Sequence, residues 1–296
     1  MLSYEIRTDD KITTASRDRL ITPQEAREIH DWKLVPKMGD VITVAVMDSG
    51  IDEQVAAKHP WFAEAALTRQ YDATGQNGVE EDAVGHGTGC ASIIANAVSE
   101  VELYDVRIFG GSGASAGFGP IRKAYKWLIE HSDEIDLVNM SWGAGNDVPQ
   151  INNLHDRLMN TGVYSVVAAG NTGSDGGSPA TARQAFSAGA IDEQGDPARF
   201  SSFDPEKGNP DVAAVGQNVQ MARAHGTAMG TPLSDEYVKS SGTSFAAPYV
   251  TAAYVNALYE RRKNWKKSFM DTGVDVPGTP KDGGGILKLR EALRKK

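Results

Sequence analysis

Three short segments of the sequence place the residue types of nucleophilic catalysis beside apolar runs. Asp48 stands in VAVMDSGID, His86 in GHGTGC and Ser244 in SGTSFAAP. A serine hydroxyl becomes an effective nucleophile when a base takes its proton. The base is most often a histidine, and a carboxylate holds its ring in the required tautomer. Together the three segments predict a catalytic triad of Asp48, His86 and Ser244.

Each of these residues also has a purely structural interpretation. Asp48 before Ser-Gly could simply form a turn, and a lone histidine is usually structural. Ser244 is predicted in the first turn of a helix and could be its N-cap. However, Thr243 and Ser241 could each cap that helix instead, which would leave Ser244 free. The catalytic interpretation therefore depends on the three residues occurring together.

The elements that must position these residues alternate between apolar runs and helical patterns. Continuous apolar strands that alternate with helices predict a parallel sheet covered on both faces. Ligands of such sheets bind beyond the carboxyl ends of the strands, where Asp48 is predicted to lie. The predicted strands cover residues 41–47, 101–108, 135–140, 163–168, 185–191 and 211–215, and the predicted helices cover 86–98, 119–131, 150–160, 243–263 and 287–294.

The composition of the chain argues against several classes of function. Its 296 residues are enough for one α/β enzyme with a large core. Asp and Glu outnumber Lys and Arg by 39 to 30, and the net charge of −9 argues against nucleic acid as a partner. No long apolar run predicts a membrane span, and the polar N-terminus does not resemble a signal peptide. The chain is therefore predicted to be cytoplasmic, unless a leader was removed.

Several further motifs resemble those of the subtilase family, peptidase family S8. DSG at 48–50, HGT at 86–88 and GTSFAAP at 242–248 are similar to its three signatures, and VNMSWG at 138–143 is similar to its substrate-pocket strand. The chain order Asp, His, Ser is also that of this family. The resemblance implies a three-layer α/β fold with a mostly parallel central sheet and helices on both faces. It also implies a serine endopeptidase that forms an acyl-enzyme intermediate and requires no cofactor.

The same resemblance implies roles for residues around the triad. Asn171, at the end of VVAAGN, would be the oxyanion-hole side chain, although the sequence alone also permits a simple turn there. Two segments, 111–116 and 141–143, would clamp an extended polypeptide substrate. Small, uncharged pocket walls, with Gly177 as the floor, would favour large apolar residues on the acyl side of the cleaved bond. The implied substrate-binding residues are Gly111, Ser112, Gly113, Ala114, Ser141, Trp142, Gly143, Ala168, Ala169, Gly170 and Gly177, with Trp142 either in a more distant apolar subsite or in the core.

The chain departs from the family pattern at three places. About twenty residues precede the matching region, fewer than an independent core needs. This resembles intracellular subtilisins and predicts an extension at 1–20 before a peptidase domain at 21–296. Cys90, the single cysteine, is expected one helical turn beneath His86, as in proteinase-K-like members, and to be inert packing. The family's Asn-rich calcium loop is missing, so no metal site is identified, and weak calcium binding would fall to Asp175, Asp192, Asp196 or Asp204.

Two other classes of function remain open from the sequence. A pseudoprotease that serves as a binding module would not need an intact triad and Asn171. An esterase could use the same acyl-transfer chemistry, but it would have no need of strands that clamp a peptide. Peptide hydrolysis is therefore the favoured interpretation.

Overall fold

A seven-stranded parallel sheet forms the centre of the computed structural model, which describes residues 19–75, 82–111, 115–203, 208–260 and 284–294. The strand order is β2-β3-β1-β4-β5-β6-β7, and every neighbouring pair is parallel. The strands are β1 (Thr43–Asp48), β2 (Ala65–Asp72), β3 (Val101–Arg107), β4 (Leu137–Met140), β5 (Tyr164–Ala168), β6 (Ser187–Ile191) and β7 (Val212–Val215).

Helices cover both faces of this sheet. Side chains alternate along a strand, so Val44 and Val46 of β1 enter one core while Ala45 and Met47 enter the other. The first core lies under α3 and α6, and the second lies under α4 and α5. This arrangement confirms the predicted three-layer α/β fold. The helices are α1 (Pro23–Ile29), α2 (Glu53–Lys58), α3 (His86–Asn96), α4 (Phe118–Glu130), α5 (Pro149–Met159), α6 (Thr243–Tyr259) and α7 (Leu289–Arg294), with a 3-10 turn at Pro60–Phe62.

A second, antiparallel sheet of three short strands was not predicted from the sequence. It contains β8 (Val219–Ala222), β9 (Thr231–Pro232) and β10 (Tyr237–Ser240), in the order β8-β10-β9. Each strand has at most four residues and lacks the continuous apolar run of a buried parallel strand. The edge strand β2 was missed for a related reason, because its sequence AALTRQYD alternates weakly and contains several polar residues.

The predicted elements occur in the structure with shifted ends. Asp48 is the last residue of β1 rather than the residue after it, and α3 ends at Asn96 instead of residue 98. The helix predicted at 243–263 ends at Tyr259, and residues 261–263 lie outside the described part of the chain. Within the described ranges, no helix has both the length and the apolarity needed to cross a bilayer.

A buried histidine links the N-terminal helix to the C-terminal segment. His30 follows α1 and is fully buried between the rings of Trp32 and Tyr249. Its Nε2 accepts a hydrogen bond from the backbone N–H of Val215 at 3.0 Å, so its Nδ1 carries the proton and donates to the carbonyl of Leu287 at 2.9 Å. Burial lowers the pKa of His30 to about 4, because the charged form has lost its solvation. The ring is therefore neutral near pH 7.

Candidate active site

The end of β1 and the start of α3 bring Asp48 and His86 into direct contact. The Nδ1–H of His86 donates to Asp48 Oδ1 at 2.8 Å, and the backbone N–H of Ser49 donates to the same oxygen at 2.7 Å. Both side chains are buried. Burial by itself lowers the pKa of His86, but the charge and hydrogen bond of Asp48, together with the neighbouring Cys90, raise it well above its ordinary value. The pair therefore has the base-and-orienter geometry that was predicted.

A buried carboxylate, Asp82, fixes the start of α3. Its two oxygens accept hydrogen bonds from the backbone N–H groups of Val84, Gly85 and Thr88, and from the hydroxyls of Thr88 and Ser49. Ser49 follows Asp48, so this network joins the end of β1 to the turn that begins α3. Asp82 was not predicted as a site residue, although its place four residues before His86, ahead of a helix without a polar N-cap, was an available signal.

The glycine after His86 is required by a close approach of two backbone segments. A Cβ atom on Gly87 would lie 2.2 Å from the carbonyl oxygen of Gly50. Its N–H donates to the Ser49 hydroxyl at 2.9 Å, which adds a bond between the same segments. A larger residue would push α3 away from the end of β1 and would separate His86 from Asp48.

Ser244 lies in the first turn of α6, close to the histidine. Its carbonyl accepts a hydrogen bond from Ser141 Oγ at 2.7 Å and one from Cys90 Sγ at 3.4 Å. Cys90 Sγ also lies 3.9 Å from His86 Nδ1, as expected for residues one helical turn apart. The ring of Phe245, the next residue, lies 5.3 Å from the His86 ring between centroids. The structure therefore brings the three predicted triad residues into one small region.

The prediction that Thr243 or Ser241 caps α6 was wrong. The N-cap is Gly242, and no side chain caps the helix. Ser241 Oγ accepts from the backbone N–H of Asn218, while Thr243 Oγ1 accepts from the N–H of Gly170 at 3.0 Å. The tertiary contacts of these two hydroxyls outweigh the local capping preference.

Asn171 lies beside the start of α6, held by Thr243. Its Oδ1 accepts hydrogen bonds from the backbone N–H of Thr243 at 2.9 Å and from the Thr243 hydroxyl at 3.0 Å. Because the amide oxygen is used in this way, the amide N–H groups remain for another acceptor. Asn171 and Ser244 line the same cavity, at the N-terminal end of a helix whose dipole favours negative charge.

This cavity has a volume of about 280 Å³, and only some of the predicted substrate residues line it. Gly143, Ala168, Gly170 and Gly177 line it as expected, and a Cβ on Gly177 would lie 1.8 Å from the carbonyl oxygen of Ala144. The other lining residues are Trp142, Ala144, Gly145, Asn171, Thr172, Asp175, Ser202, Thr243 and Ser244. Asp175 was not predicted to line this pocket. A larger open groove of about 600 Å³ beside α2 and β2 contains none of the triad residues.

Of the other predicted substrate residues, Trp142 lines the cavity, whereas Ser141, Ala169 and Gly111 do not. Ala169 is buried outside the cavity lining, with its N–H bonded to the carbonyl of Ala188. Ser141 is buried, and its hydroxyl supports the backbone of Ser244. The Trp142 side chain is 2% exposed and packs against Tyr125 in the core, so its position does not fit a separate distant subsite. Gly111 is exposed beyond β3, whereas Ser112, Gly113 and Ala114 lie outside the described residues.

The acidic residues considered for weak calcium binding do not converge on one site. Asp192 Oδ1 accepts the backbone N–H groups of Gln194 and Asp196, which makes it a turn residue. Asp175 lines the cavity beside Ser244, and Asp204 lies outside the described residues. Among the described residues, the metal-ligating side-chain types that cluster tightly are Asp48, His86 and Cys90. Their ligand atoms lie within 4.8 Å of one another. The three described aspartates, Asp175, Asp192 and Asp196, therefore do not form a shared cluster.

A parallel α/β sheet that carries a buried Asp–His pair beside a serine at a helix N-terminus defines the chain as a serine hydrolase. Residues 39–274 match the profile described as the subtilase family, so the chain belongs to that family and is a serine peptidase.

Known relatives agree with this assignment. The chain is 29% identical over 256 residues to the major intracellular serine protease of Bacillus subtilis, covering 80% of this chain and 74% of the relative. It is 30% identical over 259 residues to subtilisin-like protease 2 of Pseudogymnoascus destructans, covering 85% and 60%. The crystal structure of a lanthipeptide protease has a similar fold, with a TM-score of 0.70, 19% identity and coverage of 86% and 87%.

Proposed function

We propose that this peptidase hydrolyses internal peptide bonds through Asp48, His86 and Ser244, with Asn171 in the oxyanion hole. The observation that supports this most strongly is the 2.8 Å bond between His86 and Asp48 beside Ser244. Because the Nδ1–H of neutral His86 donates a hydrogen bond to Asp48, the unprotonated Nε2 can accept the serine proton. The buried thiol of Cys90 is a poor alternative nucleophile, because burial raises its pKa.

In this mechanism Ser244 Oγ attacks the substrate carbonyl while His86 Nε2 takes its proton. Asp48 stabilises the imidazolium that forms. The negative oxygen of the tetrahedral intermediate accepts hydrogen bonds from the Asn171 amide and the Ser244 N–H. His86 then protonates the leaving amine. Water, activated by the same base, hydrolyses the acyl-enzyme and frees Ser244.

The cavity beside Ser244 is proposed to receive the substrate residue on the acyl side of the cleaved bond. Its glycine and alanine walls favour a large apolar side chain, and Gly177 closes one wall. The backbone of 141–143, together with that of 111–116, is proposed to hold the polypeptide as an extended strand. Cleavage-site profiling on a denatured protein mixture tests this, and a strict requirement for Lys or Arg at that position would contradict it.

The test of the mechanism is labelling and kinetics on Ser244→Ala. A fluorophosphonate probe should label the native chain and not the variant, whose kcat should fall at least about 10³-fold because the nucleophile is lost. Ser132→Ala, in the turn after α4, is the control and should keep both labelling and activity. If Ser244→Ala keeps more than a few per cent of the activity, Ser244 is not the nucleophile.

Three further expectations accompany this function. The triad supplies both nucleophile and base, so we expect no cofactor and a kcat that survives exhaustive dialysis against EDTA.

We place the peptidase domain at 21–296 after an extension at 1–20, and the bridge between Ile21 and Val219 supports this boundary. We also propose a cytoplasmic location, which the intracellular relative supports.

A further inference from the structure

A second buried aspartate shares a sheet face with Asp48. In the parallel register of β1 and β3, Val46 lies opposite Asp105 and Asp48 lies opposite Arg107. Side chains two residues apart on a strand point to the same face, so Asp105 and Asp48 both face the α3 side. Asp105 is fully buried. The catalytic mechanism described above gives it no role.

Each of these two carboxyl groups has one oxygen with hydrogen-bond partners and one oxygen without. Asp105 Oδ2 accepts from the backbone N–H of Ile51 at 3.1 Å, in the turn that follows Asp48. Asp105 Oδ1 is buried without a partner, and so is Asp48 Oδ2. Asp48 Oδ1, by contrast, accepts both the His86 ring and the Ser49 N–H. Buried polar atoms are rarely left without partners, because each costs about 1–3 kcal/mol.

The charges around Asp105 favour its neutral form. Burial raises the pKa of Asp105 well above its ordinary value, and the negative charges of Asp82 and Asp48 add to this effect. The N–H of Ile51 and the Arg107 guanidinium act in the opposite direction but do not reverse it. On the neighbouring strand β2, the residue opposite Asp105 is the uncharged Gln70. A neutral carboxylic acid has a proton to donate, which an ionised one lacks.

We propose that Asp105 is a positioning residue for the Asp48–His86 pair, with a protonated carboxyl group that donates toward Asp48 Oδ2. This rests on the proposed function, in which Asp48 must remain charged and correctly placed to orient His86. Asp105 Oδ2 accepts from the N–H of Ile51 and so fixes that turn. The protonated Oδ1 of Asp105 donates to the unpartnered Oδ2 of Asp48. Both oxygens of Asp48 are then held, and its negative charge is stabilised.

The competing partner for the unpartnered oxygen of Asp105 is Gln70, whose side-chain amide N–H groups are donors. Its Nε2 is buried without a hydrogen-bond partner and lies in register with Asp105. If Asp105 bonded to Gln70 instead, the contact would stabilise the edge of the sheet and would leave His86 unaffected. The titration of His86 therefore separates the two arrangements.

The experiment measures the pKa of His86 by NMR in the Ser244→Ala background, which also prevents self-digestion. Asp105→Ala removes the donor and leaves the negative charge of Asp48 to act more strongly on the ring, so the pKa of His86 should rise by about 0.5–1 pH unit. Asp105→Asn keeps a neutral donor and should hold the pKa within about 0.3 unit of the parent. In the active chain, Asp105→Ala should lower kcat about tenfold with little change in KM, and Asp105→Asn should recover most of that loss.

Two matched controls accompany these variants. Asp136→Asn alters an exposed aspartate that also accepts a β1 backbone N–H, from Thr43 at the far end of the strand. Gln70→Met removes the competing partner. Neither should move the pKa of His86.

Three results would overturn the proposal. A fall of more than about 0.5 unit in Asp105→Asn would mean that Asp105 is ionised in the parent chain. An unchanged pKa in Asp105→Ala would remove the link to Asp48, and an equal rise in Gln70→Met would assign the effect to sheet packing. If Asp105→Ala does not fold, Asp105→Leu, which also lacks a donor but leaves a smaller cavity, takes its place in the same measurement. The proposed function itself is tested separately by the fluorophosphonate label on Ser244.

Discussion

Asn171 and Thr243 form a two-point contact in which one amide oxygen accepts both the backbone N–H and the hydroxyl of the threonine, at 2.9 and 3.0 Å. Such a contact fixes the amide plane at two points. The contact therefore determines which way the Asn171 N–H groups face, before any substrate is bound. A preorganised donor needs no rearrangement when the negative oxygen develops, which is why donors of this kind are effective.

Removal of the Asn171 amide should lower kcat about 10²–10³-fold with little change in KM, because its bond to the oxyanion forms in the transition state. Thr243→Val keeps the N–H contact and loses the hydroxyl, so it should cost about tenfold or less. Steady-state kinetics on a peptide substrate measure both, and Asn153→Ala on the surface of α5 is the control. Equal activity of Asn171→Ala and the parent would remove Asn171 from the oxyanion hole.

The activity should depend on the protonation of His86. An imidazolium ring cannot accept the serine proton, so kcat/KM should rise with pH as His86 loses its charge. Because Asp48 raises the pKa of His86 despite burial, the midpoint of this rise should lie above the ordinary value of 6.5. A pH profile of kcat/KM with a neutral substrate gives the midpoint. A profile that stays flat between about pH 5 and 8 would argue against His86 as the base.

His30 should make the fold sensitive to acid. Its pKa is about 4 in the folded chain and 6.5 when unfolded, so the unfolded state binds a proton first as pH falls. The stabilisation by neutral His30 is therefore complete above about pH 6.5 and is lost between that value and pH 4, in total about 3 kcal/mol. Urea unfolding of the Ser244→Ala chain at pH 7 and pH 4.5 measures the change.

The matched variant for this experiment is His30→Gln. It should be less stable than the parent at pH 7, but its stability should change less between pH 7 and pH 4.5, because the titrating group is gone. His225→Gln replaces a largely exposed histidine that contacts Asp52 and serves as the control for titration elsewhere. An identical acid response in the parent and in His30→Gln would show that His30 is not the sensitive group.

Cys90 should make the enzyme sensitive to bulky organomercurials without taking part in catalysis. Its sulfur lies between His86 Nδ1 and the carbonyl of Ser244, so a reagent attached there would displace the ring. Cys90→Ala and Cys90→Val should keep most of the activity and lose the inhibition, since a small buried group replaces another. If the Cys90 variants are inactive while Ser244→Ala is active, the enzyme is a cysteine peptidase.

The part of the site that could be predicted from sequence depends on local patterns. Asp48, His86 and Ser244 each stand at the end of an apolar strand or the start of a helix, where period and composition are informative. The central strands β1 and β3 to β7 were found for the same reason. Asn171 was predicted through its resemblance to a family motif.

The rest of the site depends on contacts between distant parts of the chain. Asp82 and Asp105 look like ordinary acidic residues in sequence, and their burial follows from the packing of α3 and the register of β3. The capping role given to Thr243 failed because Asn171, 72 residues away, binds its hydroxyl. Ala169, the residue after β5, was placed in the pocket, but it is buried outside the cavity lining. Local propensity cannot resolve which side of a loop after a buried strand faces the ligand.

The bond between His30 and Leu287 joins residues that are 257 positions apart in the chain. A second bond, from the backbone N–H of Leu289 to the carbonyl of His30, closes the same junction. During synthesis the ribosome must therefore pass residue 289 and release it from the exit tunnel before α1 finds its final partners. Domains generally fold as units as they are translated. A nascent chain of this enzyme accordingly cannot complete the contacts of His30 until residue 289 has left the ribosome.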